Sequence, residues 1–140
     1  MKIIRPSLNE YYLEIARAVS RRSTCLRRQY GAVIVNDDEI IATGYNGSPR
    51  GETNCCDIGV CKRVGHKHND GDYDQCNSVH AEMNAMLSAS RRGMLGATLY
   101  LAGFENGQEI AAEPCPICRR LIKNAGIKLV VSDCKQVNLP

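Results

Sequence analysis

His80 and Glu82 stand two residues apart, and Cys115 and Cys118 follow Pro114 at C-x-x-C spacing. One imidazole and two thiols fill three corners of a zinc tetrahedron. A fourth corner left to water separates a catalytic zinc from a structural one. Glu82 is then a carboxylate without a ligand role, and a zinc hydrolase needs such a group to carry protons between water and substrate. A C-x-x-C alone reads equally as a redox pair or half of a structural zinc site, and a lone His-Ala-Glu on a helix is ordinarily surface. The two halves in this order, each at a predicted helix start, favour the metal.

The elements that must position these residues follow from periodicity. Residues 8–22 put Tyr12, Ile15, Ala16 and Val19 on one helical face, with Ser7 as N-cap. Residues 30–36 and 39–45 are β-branched runs joined by Asn36, Asp37 and Asp38, which predicts an antiparallel hairpin with both strands buried. Residues 46–77 show no periodicity, and so long a loop needs a pin. A helix is predicted over 79–92, capped by Ser78, with Ala81, Ala85, Met86 and Ala89 forming a small face for close packing. Residues 97–103 and 127–132 read as strands. Residues 115–125 read as a helix with Pro116 in its first turn and Gly126 at its stop. The α-β-α-β order of the second half calls for a parallel strand pair in a mixed sheet with helices on both faces, a three-layer α/β/α sandwich. Helix N-termini would also lower the pKa of the two thiols.

A chain of 140 residues suits one domain, residues 1–140, with a normal core. No run of 18 apolar residues predicts a membrane span, and the first residues lack the apolar core of a signal peptide, so a cytoplasmic location is expected. Eight cysteines in that compartment argue for metal over disulfides. The formal charge of +3 suits an anionic small molecule without demanding nucleic acid. Trp is absent and Phe104 is the single Phe, so base-stacking platforms are thinly supplied.

The H-x-E and P-C-x-x-C pair resembles the signature of zinc-dependent nucleobase deaminases. Further segments narrow the likeness: STCLRR at 23–28, GAVIV at 31–35, TGYNGSP at 43–49, Asn54 with Cys55, HAEMNA at 80–85, and PCPIC at 114–118 followed by NAGI at 124–127. Together they resemble the deoxycytidylate (dCMP) deaminase family of the cytidine deaminase-like fold, over roughly residues 20–131. The resemblance implies hydrolytic deamination of dCMP to dUMP and ammonia, feeding thymidylate synthesis. Zn2+ would sit on His80, Cys115 and Cys118, with Glu82 as the proton carrier. It further implies that Asn46 binds the sugar hydroxyl, that the Ala81 backbone contacts the base, and that Arg27 binds the 5′-phosphate. A homohexamer is implied too, with dCTP as activator, dTTP as inhibitor and Mg2+ on the triphosphate; Arg91 and Arg92 are guesses for that effector site. The same chemistry on another substrate, a tRNA adenosine or another cytosine nucleoside or nucleotide, is the alternative reading, and a zinc protein that holds nucleotide without turnover is a third.

Two departures from the family pattern stand out. The link between residues 103 and 113 is long, and Asn106 with Gly107 predicts a hairpin turn, so residues 104–111 read as an added ribbon near the cleft mouth. The sequence past residue 132 is short; residues 137–139 read as an edge strand or a tail. The family often carries a second, structural zinc whose first ligands resemble Cys25 and Cys55. Cys61 and Cys76 are placed to complete it, with Cys56, His66 and His68 as alternatives and Cys134 as a bystander.

Overall fold

The computed structural model describes residues 1–61, 63, 65, 76–133 and the strand backbone of 136–138; His66, His68 and Cys134 lie outside the described residues. The helix α1 runs Leu8–Ser20, capped by the Ser7 hydroxyl, which accepts from the Glu10 N–H. The strands β1 (Gln29–Asn36) and β2 (Glu39–Tyr45) form the expected hairpin. Its turn is closed by Asp37 and Asp38 at φ 52° and 58°, a left-handed pair that short polar side chains tolerate. One-turn α2 (Cys55–Ile58) lies in the long loop. Then follow α3 (Ala81–Leu87), α4 (Arg91–Met94), β3 (Thr98–Glu105), β4 (Gln108–Ile110), α5 (Pro116–Ala125), β5 (Leu129–Val131) and β6 (Gln136–Asn138).

The sheet order is β2-β1-β3-β5-β6, with β4 paired to the far end of β3. β3 and β5 are parallel and the other pairs antiparallel. Alternation along each strand sorts side chains to two faces. Ala32, Ile34, Leu99, Leu101 and Val130 pack with Ala81, Ala85, Cys118 and Ile122 of α3 and α5. Val33, Val35, Tyr100, Ala102 and Val131 pack with Tyr12, Leu13 and Ala16 of α1. This is the three-layer α/β/α sandwich around a mixed sheet.

Three expectations need correction. Only β1 of the hairpin is buried along its centre, from Gly31 to Val35; β2 is an edge strand that buries Ala42 and Gly44 while Ile40 and Tyr45 stay exposed. The predicted helix over 79–92 is two helices, because Ser90 caps α4 by accepting from the Gly93 N–H. Its first residue is also later than expected: His80, not Ser78, is the N-cap of α3. The ribbon at 104–111 is present, with Phe104 opposite Glu109 and Glu105 opposite Gln108. Asn106 and Gly107 turn it at φ 53° and 77°.

Close helix–sheet contact fixes where the site forms. A Cβ on Gly44 would overlap backbone atoms of Ala81, Asn84 and Ala85, so α3 lies directly on β2. The small face of α3, Ala81 and Ala85, is what permits that approach.

Candidate active site

The N-terminal ends of α3 and α5 open at one end of the sheet, beside the C-terminal ends of β2 and β3. His80 has extended backbone, φ −70° and ψ 153°, and its ring makes no capping bond, which leaves the imidazole to face α5. Cys115 is the N-cap of α5 and its Sγ accepts from the Cys118 N–H at 3.4 Å. His80 Nδ1 then lies 3.2 Å from Cys118 Sγ and 3.6 Å from Cys115 Sγ. Zinc–sulfur and zinc–nitrogen bonds of about 2.3 and 2.0–2.1 Å give a tetrahedral N–S edge of about 3.6 Å. The donor set therefore fits zinc in type, number and spacing. Among the described residues this is the group of three metal-binding side chains whose ligand atoms come within 4.8 Å of one another.

Burial pushes the His80 imidazole down, which keeps it neutral, the form that binds a metal. The Cys118 thiol is pushed far up, first by burial and then by Glu82 and Cys115 beside it. The helix end was expected to do the opposite; one partial positive charge is outweighed by desolvation and two acidic neighbours. A thiolate forms here when a cation joins the cluster, which is what this donor set calls for. Glu82, 5% exposed, sits in the first turn of α3. Burial raises its pKa, opposed by hydrogen bonds to its own backbone N–H and to the Cys118 thiol. A carboxyl displaced upward in this way is suited to accept and return a proton near neutrality.

Residues 6–134 match the model of the cytidine and deoxycytidylate deaminase zinc-binding region. The chain belongs to this family. It is 41% identical to the deoxycytidylate deaminase of Mycobacterium phage D29 over 133 residues, covering 91% of this chain and 94% of that one. It is 40% identical to the Schizosaccharomyces pombe deoxycytidylate deaminase over 129 residues, 91% of this chain but 37% of that protein's length. The dCMP deaminase of cyanophage S-TIM5, solved in complex with dCMP and dUMP, superposes with a TM-score of 0.65 at 28% identity, covering 93% of this chain and 83% of that one. The deaminase fold and a zinc-type His-Cys-Cys cluster thus coincide in one chain.

The remaining residues named from the sequence gather at the same end of the sheet. Gly47 pairs with Val79 through reciprocal backbone hydrogen bonds of 3.1 and 2.7 Å, which brings the Asn46 loop against the start of α3. Asn46 is 7% exposed. Its Oδ1 accepts from the Tyr30 N–H at 2.8 Å and its Nδ2 donates to the Arg28 carbonyl at 2.9 Å. Ala81 is buried at the first turn of α3. Arg27 donates to the Arg63 carbonyl at 3.2 Å. Cys25, Cys55, Cys61 and Cys76 all line one small pocket with Thr24, Gly47 and Ser48. The Arg63 N–H donates to Cys61 Sγ there at 3.4 Å. These four cysteines thus share a pocket.

The sequence reading missed Tyr30 and Glu105 as neighbours of the site. Arg28 Nη1 donates to the Tyr30 hydroxyl at 3.2 Å, and Arg28 Nε is 3.0 Å from a Glu105 carboxylate oxygen. The charge of Glu82 reaches the Tyr30 hydroxyl. The available signal was parity: Arg28 and Tyr30 have the same strand phase as Ala32 and Ile34, whose face carries α3 and α5.

Proposed function

We propose that this protein catalyses hydrolytic deamination of dCMP to dUMP and ammonia, a step that supplies thymidylate synthesis. The observation that carries the reading is the His80, Cys115 and Cys118 cluster with the buried carboxyl of Glu82 beside it. His80, Cys115 and Cys118 would hold zinc, which supplies the Lewis acidity that lowers the pKa of the attacking water. Glu82 accepts the proton that this water loses and delivers it to the ring nitrogen next to the amine-bearing carbon. The water oxygen adds at that carbon; Glu82 then takes the remaining proton of the new hydroxyl and gives it to the amine, and the C–N bond breaks to release ammonia and leave the carbonyl. The Ala81 N–H lies in the first turn of α3, where no intrahelical partner is available, and would donate to the base. Asn46 keeps a second amide hydrogen for a sugar hydroxyl after its two backbone bonds are made. Ammonia release from a panel of dCMP, CMP, deoxycytidine, dCTP and a tRNA anticodon stem tests this reading. Preferred turnover of dCMP supports it, and preferred turnover of any other member replaces it.

A second, structural zinc on Cys25, Cys55, Cys61 and Cys76 is supported by their common pocket. No helix among the described residues is long and apolar enough to cross a membrane. A closed homohexamer is supported by exposed apolar side chains on the helical layer, Leu87, Ile117 and Leu121. A monomer by light scattering at micromolar concentration would refute it. Activation by dCTP and inhibition by dTTP, with Mg2+ on the triphosphate, rest on family resemblance and are read by adding each nucleotide to the dCMP assay.

A further inference from the structure

Thr24 stands before β1 and holds the loop of Asn46, Gly47 and Ser48 at two points. Its backbone N–H donates to the Asn46 carbonyl at 3.3 Å, and its Oγ1 accepts from the Ser48 N–H at 3.3 Å. Its own carbonyl accepts from the Cys56 N–H of α2 at 3.1 Å, which fixes Thr24 from the other side. Gly47 lies between the two bonded loop residues. It does not adopt the left-handed backbone, so conformational freedom is not why a glycine stands there. Space is the reason: a Cβ on Gly47 would collide with the Thr24 hydroxyl. Thr24 thus packs on the loop at its middle and bonds it on both flanks.

The same loop is tied to the candidate active site. Gly47 and Val79 exchange backbone hydrogen bonds, and His80 follows Val79. The Asn46 amide spans the Tyr30 N–H and the Arg28 carbonyl. The loop is therefore a three-residue clasp between Thr24 and the start of α3. Where the remaining Asn46 amide hydrogen points is set by the register of that clasp. A side chain that must place one hydrogen bond accurately needs such support from the residues behind it. The sugar of dCMP has no 2′-hydroxyl and its 5′-oxygen carries the phosphate, so the 3′-hydroxyl is the group left for that hydrogen.

We propose that Thr24 is a positioning residue for sugar selectivity: its hydroxyl holds the Ser48 N–H and so aims the Asn46 amide at the 3′-hydroxyl of the substrate. The proposal rests on the dCMP reading and on the role of Asn46 given above. Thr24 acts through the 46–48 loop and does not itself meet the substrate. It also lines the cysteine pocket, so its effect has to be separated from that of a metal bound there.

The test compares kcat/KM for dCMP and for its 2′,3′-dideoxy analogue in wild type, T24V and T24S, with zinc content measured on each sample. Valine keeps the shape of threonine and removes the acceptor of the Ser48 N–H; serine keeps that acceptor. T24V should lower kcat/KM for dCMP about 3- to 10-fold, the effect of one neutral hydrogen bond, chiefly through KM. It should leave the value for the dideoxy analogue nearly unchanged, because that substrate has no hydroxyl for Asn46 to meet. T24S should resemble wild type on both. Where the analogue turns over too slowly to follow, inhibition of dCMP turnover by dUMP and by dideoxyuridine monophosphate gives the same comparison. Equal losses on both substrates, no loss on either, a T24S loss as large as that of T24V, or a fall in zinc content with T24V overturns the assignment. Amide hydrogen exchange read by NMR keeps the question separate from turnover: the Ser48 N–H should exchange about 3- to 10-fold faster in T24V and at the wild-type rate in T24S. If wild type fails to deaminate dCMP, the functional reading falls and sugar selectivity with it. The hold of Thr24 on the loop then stands if Ser48 shows that exchange pattern, and it falls if T24V leaves the exchange unchanged.

Discussion

Glu82→Gln is the perturbation that separates chemistry from architecture. Glutamine has nearly the size and shape of glutamate, so α3 keeps its seat on β2 and the His80, Cys115 and Cys118 cluster keeps its spacing. The change removes the ability to take up and return a proton. General acid/base catalysis contributes about 10²–10⁴-fold. The upper part of that range, about 10³–10⁴, applies here because Glu82 is 5% exposed and bulk water has little access to act in its place. That loss corresponds to about 4–5.5 kcal/mol of barrier. The assay is ammonia release from dCMP beside zinc content by atomic emission on the same sample. The same carboxyl also gives a pH-dependent stability signature. Burial raises its folded pKa above the unfolded value. Its favourable contribution is therefore complete below the unfolded carboxylate range and is lost as pH rises through the folded pKa. In metal-stripped protein, E82Q should flatten that part of the stability–pH profile and unfold at a higher temperature than wild type at neutral pH. Turnover near wild type, or a zinc content that falls with the substitution, would refute the role given to Glu82.

Cys115→Ser should remove the zinc of the first cluster and abolish turnover while far-ultraviolet circular dichroism stays close to wild type, since the sheet and α1 do not depend on that sulfur; full zinc retention would contradict it. Metal analysis should find about two zincs per chain, and Cys25→Ser should lower the count to about one and reduce thermal stability, because a structural zinc contributes folding energy directly. A wild-type count of one, with Cys25 alkylated at the rate of a free thiol, would exclude the second site. Gly44→Ala should destabilise by about 1–3 kcal/mol, the range for overpacking, and lower dCMP turnover as well, because the added methyl displaces the helix that carries Glu82; unchanged denaturant midpoint and rate would show that α3 has slack.

The order and type of the main elements were legible because each had a local cause. β-Branched runs marked β1 and β2, and Asp37 with Asp38 and Asn106 with Gly107 marked two turns. Cys115 with Pro116 marked the start of α5, and Gly126 at φ 87° its end. What was not legible depended on neighbours in space. No periodicity tells that β2 lies at a sheet edge, since its position follows from pairing with β1 alone. The break between α3 and α4 turns on whether the Ser90 hydroxyl accepts a backbone N–H, and a serine inside a helical pattern is compatible with either outcome. The site divided in the same way. His80, Glu82, Cys115 and Cys118 were identified by type and spacing, whereas the pairing of Arg28 with Glu105 was not. Only the register of β1 against β3, which sets Gln29 opposite Phe104, reveals that Arg28 and Glu105 meet.

One requirement links these parts. A carboxyl serves as proton carrier near neutrality when its surroundings resist its charge, so Glu82 must be buried at a helix start and yet open toward a substrate. Burial comes from the close seating of α3 on β2, which Gly44, Ala81 and Ala85 permit. Opening comes from His80, whose extended backbone keeps its ring out of the helix and turned toward Cys115 and Cys118. The two demands meet at one short segment because an N-cap residue has non-helical dihedrals while the residues after it are already helical. His80 and Glu82, two residues apart and therefore unable to share one helix face, can both address the same cleft from that position.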